Sequence, residues 1–333
     1  MAVASVGFSS PMASSTNQAK KAPAYVVTDL TDKVIKVMRQ CLFNDNNRYT
    51  GIWNPHNLKK FYPSMPVEHY TGYANPDFFK KTPESYEFVL RDGKLPSDAI
   101  NDFFQNLAVL DCGSVIQLVY FKAVLEFIGS KKFDFLFLNL PEKFKITKLL
   151  NDPKASIASI TKFIQIDENL KVGIVGDRPI RAGSSVHFGG VRNYHLKHPR
   201  GLNSGVNVIC IGKNKDGDQL YLALDFEKEM TEKEIYDALL KDYNKERTFE
   251  DMECIKAANN VIFDRNKNSK LKDNYTHSGS IADLLESKTL VGYIPYTCIE
   301  LDYDFLLELR MAGSTEEIEA LLNKKISSIK DSI

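Results

Sequence analysis

The sequence predicts an α+β fold in which short strands and several helices enclose one buried helix. Residues 85–90 alternate between polar and apolar side chains, which is typical of a strand with one buried face. Residues 115–128 are apolar on nearly every side, and Gly129 ends this run. A helix with that pattern lies inside a domain rather than on its surface. With 333 residues, the chain is long enough to bury a sizeable core around such a helix.

The predicted elements begin after an N-terminal segment, residues 1–22, that we expect to be a flexible tail. This segment is rich in Ala, Ser, Gly and Thr and has no continuous apolar stretch. A first helix should follow it, because Asp29 or Thr31 can cap a segment whose apolar residues recur at helical spacing. One domain is expected across residues 23–310.

Two further helices are predicted from their first residues. Pro96 suits the first turn of a helix, and it directly precedes Ser97. Residues 311–333 form a C-terminal amphipathic helix, in which Ser314 and Glu317 have the spacing of a capping box. That helix either packs on the domain or docks to a partner.

Composition and charge exclude several classes of partner. The chain has 43 Lys and Arg against 43 Asp and Glu, and this balance argues against nucleic acid as a partner. No apolar run reaches the roughly 18 residues of a membrane span, so no membrane partner is expected. The five cysteines are scattered and odd in number, which favours neither a disulfide framework nor a metal site. We expect no cofactor and no metal, and a location in the cytoplasm or, after export without a conventional signal peptide, in another cell's cytosol.

Cys112 stands at the first turn of the buried helix. Unpaired backbone N–H groups and the helix dipole stabilise a thiolate at that position, which makes it nucleophilic. Gly113 and Ser114 lack bulk, so a substrate carbonyl could approach the same N–H groups and find an oxyanion hole there. The alternative is that Cys112 is a small buried hydrophobic residue.

A series of motifs surrounds Cys112. Residues 94–100 precede the cysteine, and residues 120–125 and 128–137 follow it. Three strand-like segments and one helical segment come next, at 183–188, 205–209, 221–224 and 231–239. This series resembles the protein-glutamine gamma-glutamyltransferase of Bacillus spore coats, most closely over residues 94–137. The resemblance implies a papain-like, transglutaminase-type core in which the helix that starts at Cys112 packs on an antiparallel sheet, with a catalytic domain over residues 23–310.

The sequence also departs from that family. The resemblance places Val206 where the family has its catalytic Glu, and a valine cannot accept a proton. Asn207 beside it is retained, and we expect Gly113, Ser114, Val206 and Asn207 to line the substrate site. Ala223 replaces a family His.

Proton transfer therefore needs another group, and two are candidates. Asp111 is adjacent to the cysteine, although its position equally suits a helix cap. His187 lies in a neighbouring strand and shares a face with Ser185; it is either a catalytic base or an ordinary surface or packed histidine.

The resemblance implies acyl transfer from glutamine side chains of a protein substrate through a Cys112 thioester. The acceptor is then a lysine amine in cross-linking or water in deamidation. Two alternatives stay open: a catalytically impaired fold that acts as a binding or regulatory protein, and a cysteine peptidase that uses His187.

Overall fold

The structure is a computed structural model of the 333-residue chain. It describes residues 24–42, 51–53, 64–65, 72–82, 87–140, 142–146, 171–172, 180–190, 194–199, 201, 205–224, 226, 228–263 and 296–331. The predicted tail at 1–22 lies outside these residues, so its flexibility stays a prediction.

The described residues form nine helices and eleven strands. The helices are α1 (Ala24–Leu42), α2 (Pro96–Gln105), α3 (Cys112–Ile128), α4 (Ser130–Leu138), α5 (Tyr194–Lys197), α6 (Glu232–Tyr243), α7 (Phe249–Phe263), α8 (Tyr303–Met311) and α9 (Thr315–Asp331). The strands are β1 (Gly51–Trp53), β2 (Phe79–Lys81), β3 (Phe88–Leu90), β4 (Leu107–Val109), β5 (Lys145–Ile146), β6 (Lys171–Val172), β7 (Ser185–Gly189), β8 (Gly205–Lys213), β9 (Gln219–Ala223), β10 (Met230–Thr231) and β11 (Tyr296–Ile299).

The main sheet has six strands in the order β10-β9-β8-β7-β11-β6, and every neighbouring pair is antiparallel. Strands β2, β3 and β5 form a second antiparallel sheet, and β1 pairs in parallel with β4. β4 leads directly to the start of α3, because only Leu110 and Asp111 separate them. The main sheet and the start of α3 together position the candidate site.

Helix α3 is buried as the sequence predicts. Fourteen of its residues are buried, including the fully enclosed Leu118, Tyr120 and Phe121. Gly129 ends the helix with a φ of 84°, a left-handed value that glycine adopts without strain. Helix α1 packs along α3 and adds Leu30, Val34, Val37 and Met38 to the same core.

The main sheet is covered on both faces. Ile209 and Leu222 point to the core that contains α1 and α3. The neighbouring positions on the same strands, among them Val206 and Val208, point to a second core that includes α6. The predicted α+β fold, with a buried helix that starts at Cys112 and packs on an antiparallel sheet, is confirmed.

The predicted starts of α2 and α9 agree with the structure to within a residue or two. The predicted cap of α1 is wrong: the helix begins at Ala24, so Asp29 and Thr31 lie within it. Pro96 is the first residue of α2. Helix α9 follows Ser314, whose hydroxyl accepts from the backbone N–H of Glu317 at 3.3 Å. Ile318 and Leu322 of this helix are buried in the core around α3, so α9 packs on the domain. No helix among the described residues is both long and apolar enough to cross a membrane.

Candidate active site

Cys112 is the first residue of α3, and Asp111 is the N-cap of that helix. The Asp111 side chain accepts a hydrogen bond from the backbone N–H of Ser114, with 2.9 Å between Oδ1 and N. This is the capping role that the sequence allowed for Asp111. The Ser114 N–H group, expected from the sequence to line an oxyanion hole, therefore donates to a carboxylate of the protein itself.

The Cys112 sulfur meets the main sheet through Asn207. The Asn207 Nδ2 donates to Cys112 Sγ at 3.2 Å, and the Asn207 Oδ1 lies 3.0 Å from Nδ1 of His187. His187 on β7 and Asn207 on β8 are directly opposed in the strand register, so their side chains leave the sheet on the same face. The three residues form a chain of polar groups in the order Cys112, Asn207, His187.

The carboxamide of Asn207 determines which ring nitrogen of His187 bears the hydrogen. Because Oδ1 is a hydrogen-bond acceptor, Nδ1 of His187 is the nitrogen that bears hydrogen, and Nε2 is then the basic nitrogen of the neutral ring. Burial lowers the pKa of His187 below its usual 6.5, and the hydrogen bond to Asn207 opposes this only in part. At neutral pH, His187 is therefore an uncharged imidazole that can accept a proton.

Gly205 makes room for this imidazole. A methyl group at position 205 would lie 2.8 Å from both Cε1 and Nε2 of His187. Carbon atoms do not approach that closely, so a larger residue would displace the ring. The absence of a side chain at Gly205 is thus a condition for the observed position of His187.

Val206 does not lie beside Cys112. Its side chain is buried in the second core, with Phe188 and Val208, on the face of the sheet opposite to Asn207. This corrects the expectation that Val206 occupies the base position next to the sulfur. Side chains alternate along a strand, so moving one residue along β8 exchanges the two faces, and Asn207 holds that place.

Tyr120 fixes the sheet to α3, two turns beyond the cysteine. Its hydroxyl donates to the carbonyl of Gly183 at 3.2 Å and accepts from the N–H of Ser185 at 2.6 Å. Ser185 begins β7, the strand that carries His187. Tyr120 was not predicted as a site residue from the sequence. The available signal was its hydroxyl within an apolar run, since such a group needs a partner when buried.

Other described thiols lie in different surroundings. Burial raises the pKa of the Cys41 thiol to about 12 and also raises that of Cys210. Both side chains are buried, whereas Cys112 is partly exposed. Cys254 is also partly exposed, and it lies on α7. The Cys112 sulfur accepts from the Asn207 amide at 3.2 Å, whereas the Gln219 amide lies 3.9 Å from the sulfur of Cys210.

A second polar cluster holds the segment between β7 and β8. His198 is buried, with Nδ1 3.2 Å from Asp251 Oδ2 and Nε2 3.0 Å from the carbonyl of Tyr243. Tyr194 donates to Asp242 at 2.7 Å. These bonds attach α5 and its surroundings to α6 and α7. In the described part of the chain, no group of three or more His, Cys, Asp or Glu side chains is placed to hold a metal ion.

Two sequence comparisons find similarity to the same family. Residues 67–143 match the family model of protein-glutamine gamma-glutamyltransferase. A curated protein of the same name from Halalkalibacterium halodurans is 35% identical over 69 residues, which are 20% of this chain and 24% of that protein. The chain thus spans about a quarter of the length of this relative. A transglutaminase from Geobacillus stearothermophilus, solved without its C-terminal extension, aligns over 85% of this chain and 94% of its own at 16% identity and a TM-score of 0.46.

The matched segment contains the Asp111 cap, the whole of helix α3 and the elements β2, β3, α2, β4 and α4 around it. The motifs that carried the resemblance most strongly, at 94–137, lie within it. Over residues 67–143, with Cys112 near their middle, the chain is therefore confirmed as similar to the protein-glutamine gamma-glutamyltransferase family.

Proposed function

We propose that the protein transfers acyl groups from protein glutamine side chains through a thioester on Cys112. The observation that carries this proposal is the hydrogen-bonded chain Cys112–Asn207–His187. Its first member, Cys112, begins a buried helix inside the segment that matches the family. A thiol at a helix N-terminus gains nucleophilicity from the unpaired backbone N–H groups there. Acyl transfer needs that nucleophile together with a proton carrier.

In the first half of the reaction, the Cys112 sulfur forms a bond to the carboxamide carbon of glutamine. The C–N bond then breaks, and the nitrogen leaves as ammonia after it receives the proton that the thiol gave up. His187 is the proposed carrier of that proton, because its imidazole is neutral at pH 7 and Nε2 is its basic nitrogen. The product is a thioester of Cys112.

In the second half, the ε-amine of a lysine attacks the thioester and loses one proton. The C–S bond breaks and the thiol takes up a proton, so that an isopeptide bond forms and Cys112 is restored. If water attacks instead of the amine, the product is a glutamate side chain. The same residues serve both acceptors, so the acceptor depends on whether a lysine amine or water reaches the thioester.

Amine incorporation tests this proposal. A glutamine-rich donor protein and a fluorescent primary amine should give a labelled donor and free ammonia, and Cys112→Ala should abolish both. Ammonia release without amine incorporation would identify a deamidase. New N-termini in the donor protein would identify a peptidase. If wild-type protein gives no ammonia, no label and no cleavage over hours, the enzymatic proposal is wrong and the binding alternative stands.

A further inference from the structure

We propose that the Asn207 side chain is the oxyanion-hole donor of this site. The inference rests on the proposed acyl transfer and names the group that stabilises its tetrahedral intermediate. In the resting site the Asn207 Nδ2 donates to Cys112 Sγ at 3.2 Å. During reaction the same N–H group is placed to donate to the oxygen of the attacked carbonyl.

The position of the new charge supports this assignment. When Cys112 Sγ bonds to the carbonyl carbon, the electron pair of the C=O double bond moves to oxygen. That oxygen is bonded to the same carbon as the sulfur, so it lies two bonds away from Sγ. A donor that already touches Sγ therefore needs only a small adjustment to reach the oxyanion. When the intermediate collapses, the C=O bond re-forms and the C–N bond breaks.

Asn207 is held in place for such a role. The side chain is 6% exposed and lies on β8, which is paired on both sides. The Oδ1 atom is hydrogen-bonded to Nδ1 of His187 at 3.0 Å. This bond orients the carboxamide with its oxygen toward the histidine and its nitrogen toward the sulfur. A donor that is fixed before the reaction costs no reorganisation when the charge appears.

One of the backbone donors expected from the sequence is engaged elsewhere. The Ser114 N–H donates to Asp111 Oδ1 at 2.9 Å, and that bond caps α3. To serve an oxyanion, this N–H would have to leave the cap. Nδ2 of Asn207 carries two hydrogens, so one can stay near the sulfur while the other reaches the oxygen. The side-chain amide is thus better placed than the Ser114 N–H group.

The test compares two reactions of the same thiol. Acylation by p-nitrophenyl acetate passes through an oxyanion, and its leaving group departs without a proton. Alkylation by iodoacetamide forms no oxyanion. In Asn207→Ala, the acylation rate of Cys112 should fall by about 10²- to 10³-fold, as for loss of one oxyanion-hole donor, while alkylation changes by only a few-fold. The matched control is Asn214→Ala, just beyond the end of β8, whose side chain is hydrogen-bonded to Asp216 and Asp218 in its own turn.

Asn207→Ala also removes the partner of His187, so a second comparison is needed. If Asn207 acts on the oxyanion, the fall in acylation should recur when Asn207→Ala is made in a His187→Ala background. If Asn207 acts only by orienting His187, Asn207→Ala should not lower the acylation rate of the His187→Ala protein any further. If the alanine variant melts at a much lower temperature, Asn207→Leu keeps the volume and still removes the donor.

The outcomes separate this inference from the proposed function. Equal losses of acylation and alkylation in Asn207→Ala, or no loss in either, would overturn the oxyanion role even if the wild type transfers glutamine acyl groups. If the wild type reacts with p-nitrophenyl acetate but not with glutamine, a loss of acylation without a loss of alkylation in Asn207→Ala would support the oxyanion role and overturn glutamine as the substrate. A wild-type Cys112 that alkylates but never acylates would also overturn the oxyanion role.

Discussion

Cys112 differs from the buried thiols Cys41 and Cys210 by its position at a helix start and by its partial exposure. Cys41 and Cys210 are enclosed in apolar cores, where burial raises their pKa values. A thiolate is the reactive form, and a buried thiol with a pKa of about 12 is almost wholly protonated at neutral pH. At the scale of single residues, the chain therefore separates one candidate nucleophile from structural cysteines.

Iodoacetamide at pH 7.5 should label Cys112 well ahead of Cys41 and Cys210. The rate at each cysteine is measured by peptide mapping of the folded protein after short exposures. Cys254→Ser is the suitable background, because Cys254 is also partly exposed and should react. Labelling of Cys41 or Cys210 before Cys112 would remove the basis for a nucleophile at position 112.

Asp111 provides a second prediction for a single residue. Because its carboxylate caps α3, Asp111→Ala should lower the free energy of unfolding by about 0.5–2 kcal/mol, while Asp111→Asn should cost much less. Urea denaturation of the three proteins measures this difference. Amine incorporation by Asp111→Asn should stay within a few-fold of wild type. A loss of tenfold or more at unchanged stability would assign the carboxylate to proton transfer instead.

Between elements, the contact of α3 with β7 decides whether the cysteine and the histidine both reach Asn207. Tyr120 makes this contact two helical turns beyond Cys112 and two residues before His187, through Gly183 and Ser185. Gly183 has a φ of 86°, a conformation that suits glycine and turns the chain into β7. The positions of the site residues therefore depend on the hydrogen bonds of Tyr120 between α3 and the start of β7, as well as on the contacts among the site residues themselves.

Tyr120→Phe should remove both bonds and leave a buried carbonyl and a buried N–H without this partner. We expect a loss of about 1–3 kcal/mol in the free energy of unfolding and a lower rate of amine incorporation. Urea denaturation and the labelling assay measure the two effects. The control is Tyr221→Phe. The Tyr221 side chain lies in the second core, on the other face of the sheet, and its hydroxyl donates to Gln219 of the same strand. If Tyr221→Phe reduces labelling as much as Tyr120→Phe does, the proposed link between α3 and β7 is wrong.

At the scale of the whole molecule, His187 links stability to pH. Its pKa in the folded protein lies below the ordinary value of 6.5, mainly because of burial. Between these two pKa values the unfolded chain binds a proton that the folded protein does not, so stability decreases as pH falls through that window. Above about pH 6.5 both states are neutral at this residue, and the penalty disappears.

Wild-type protein should therefore lose more thermal stability between pH 7.5 and pH 5.5 than His187→Gln does. Scanning calorimetry at matched ionic strength measures the melting temperatures of both proteins. The acid limb of the activity profile should have its midpoint below pH 6.5, since His187 must be neutral to accept a proton. Identical pH dependence of melting in the two proteins would show that burial does not disfavour the charged imidazole.

Much of the fold followed from local patterns in the sequence. The apolar run after Cys112 and Gly129 at its end predicted a buried helix, because a helix that is apolar all round has no face for water. Pro96 and Ser314 predicted the starts of α2 and α9, since helix ends depend on neighbouring residues along the chain. The motifs around the cysteine also sufficed to indicate the family.

The site itself depended on contacts between distant segments. The sequence singled out Cys112, Asp111 and His187, but it assigned Val206 the place beside the sulfur that Asn207 holds. Neighbouring residues of a strand face opposite sides, so a shift of one position along β8 decides which of the two meets α3. That choice is fixed by the register of β7 with β8 and by the bonds of Tyr120, which join residues more than sixty positions apart. The sequence alone determined the buried helix and its cysteine, whereas tertiary packing determined which groups surround the sulfur.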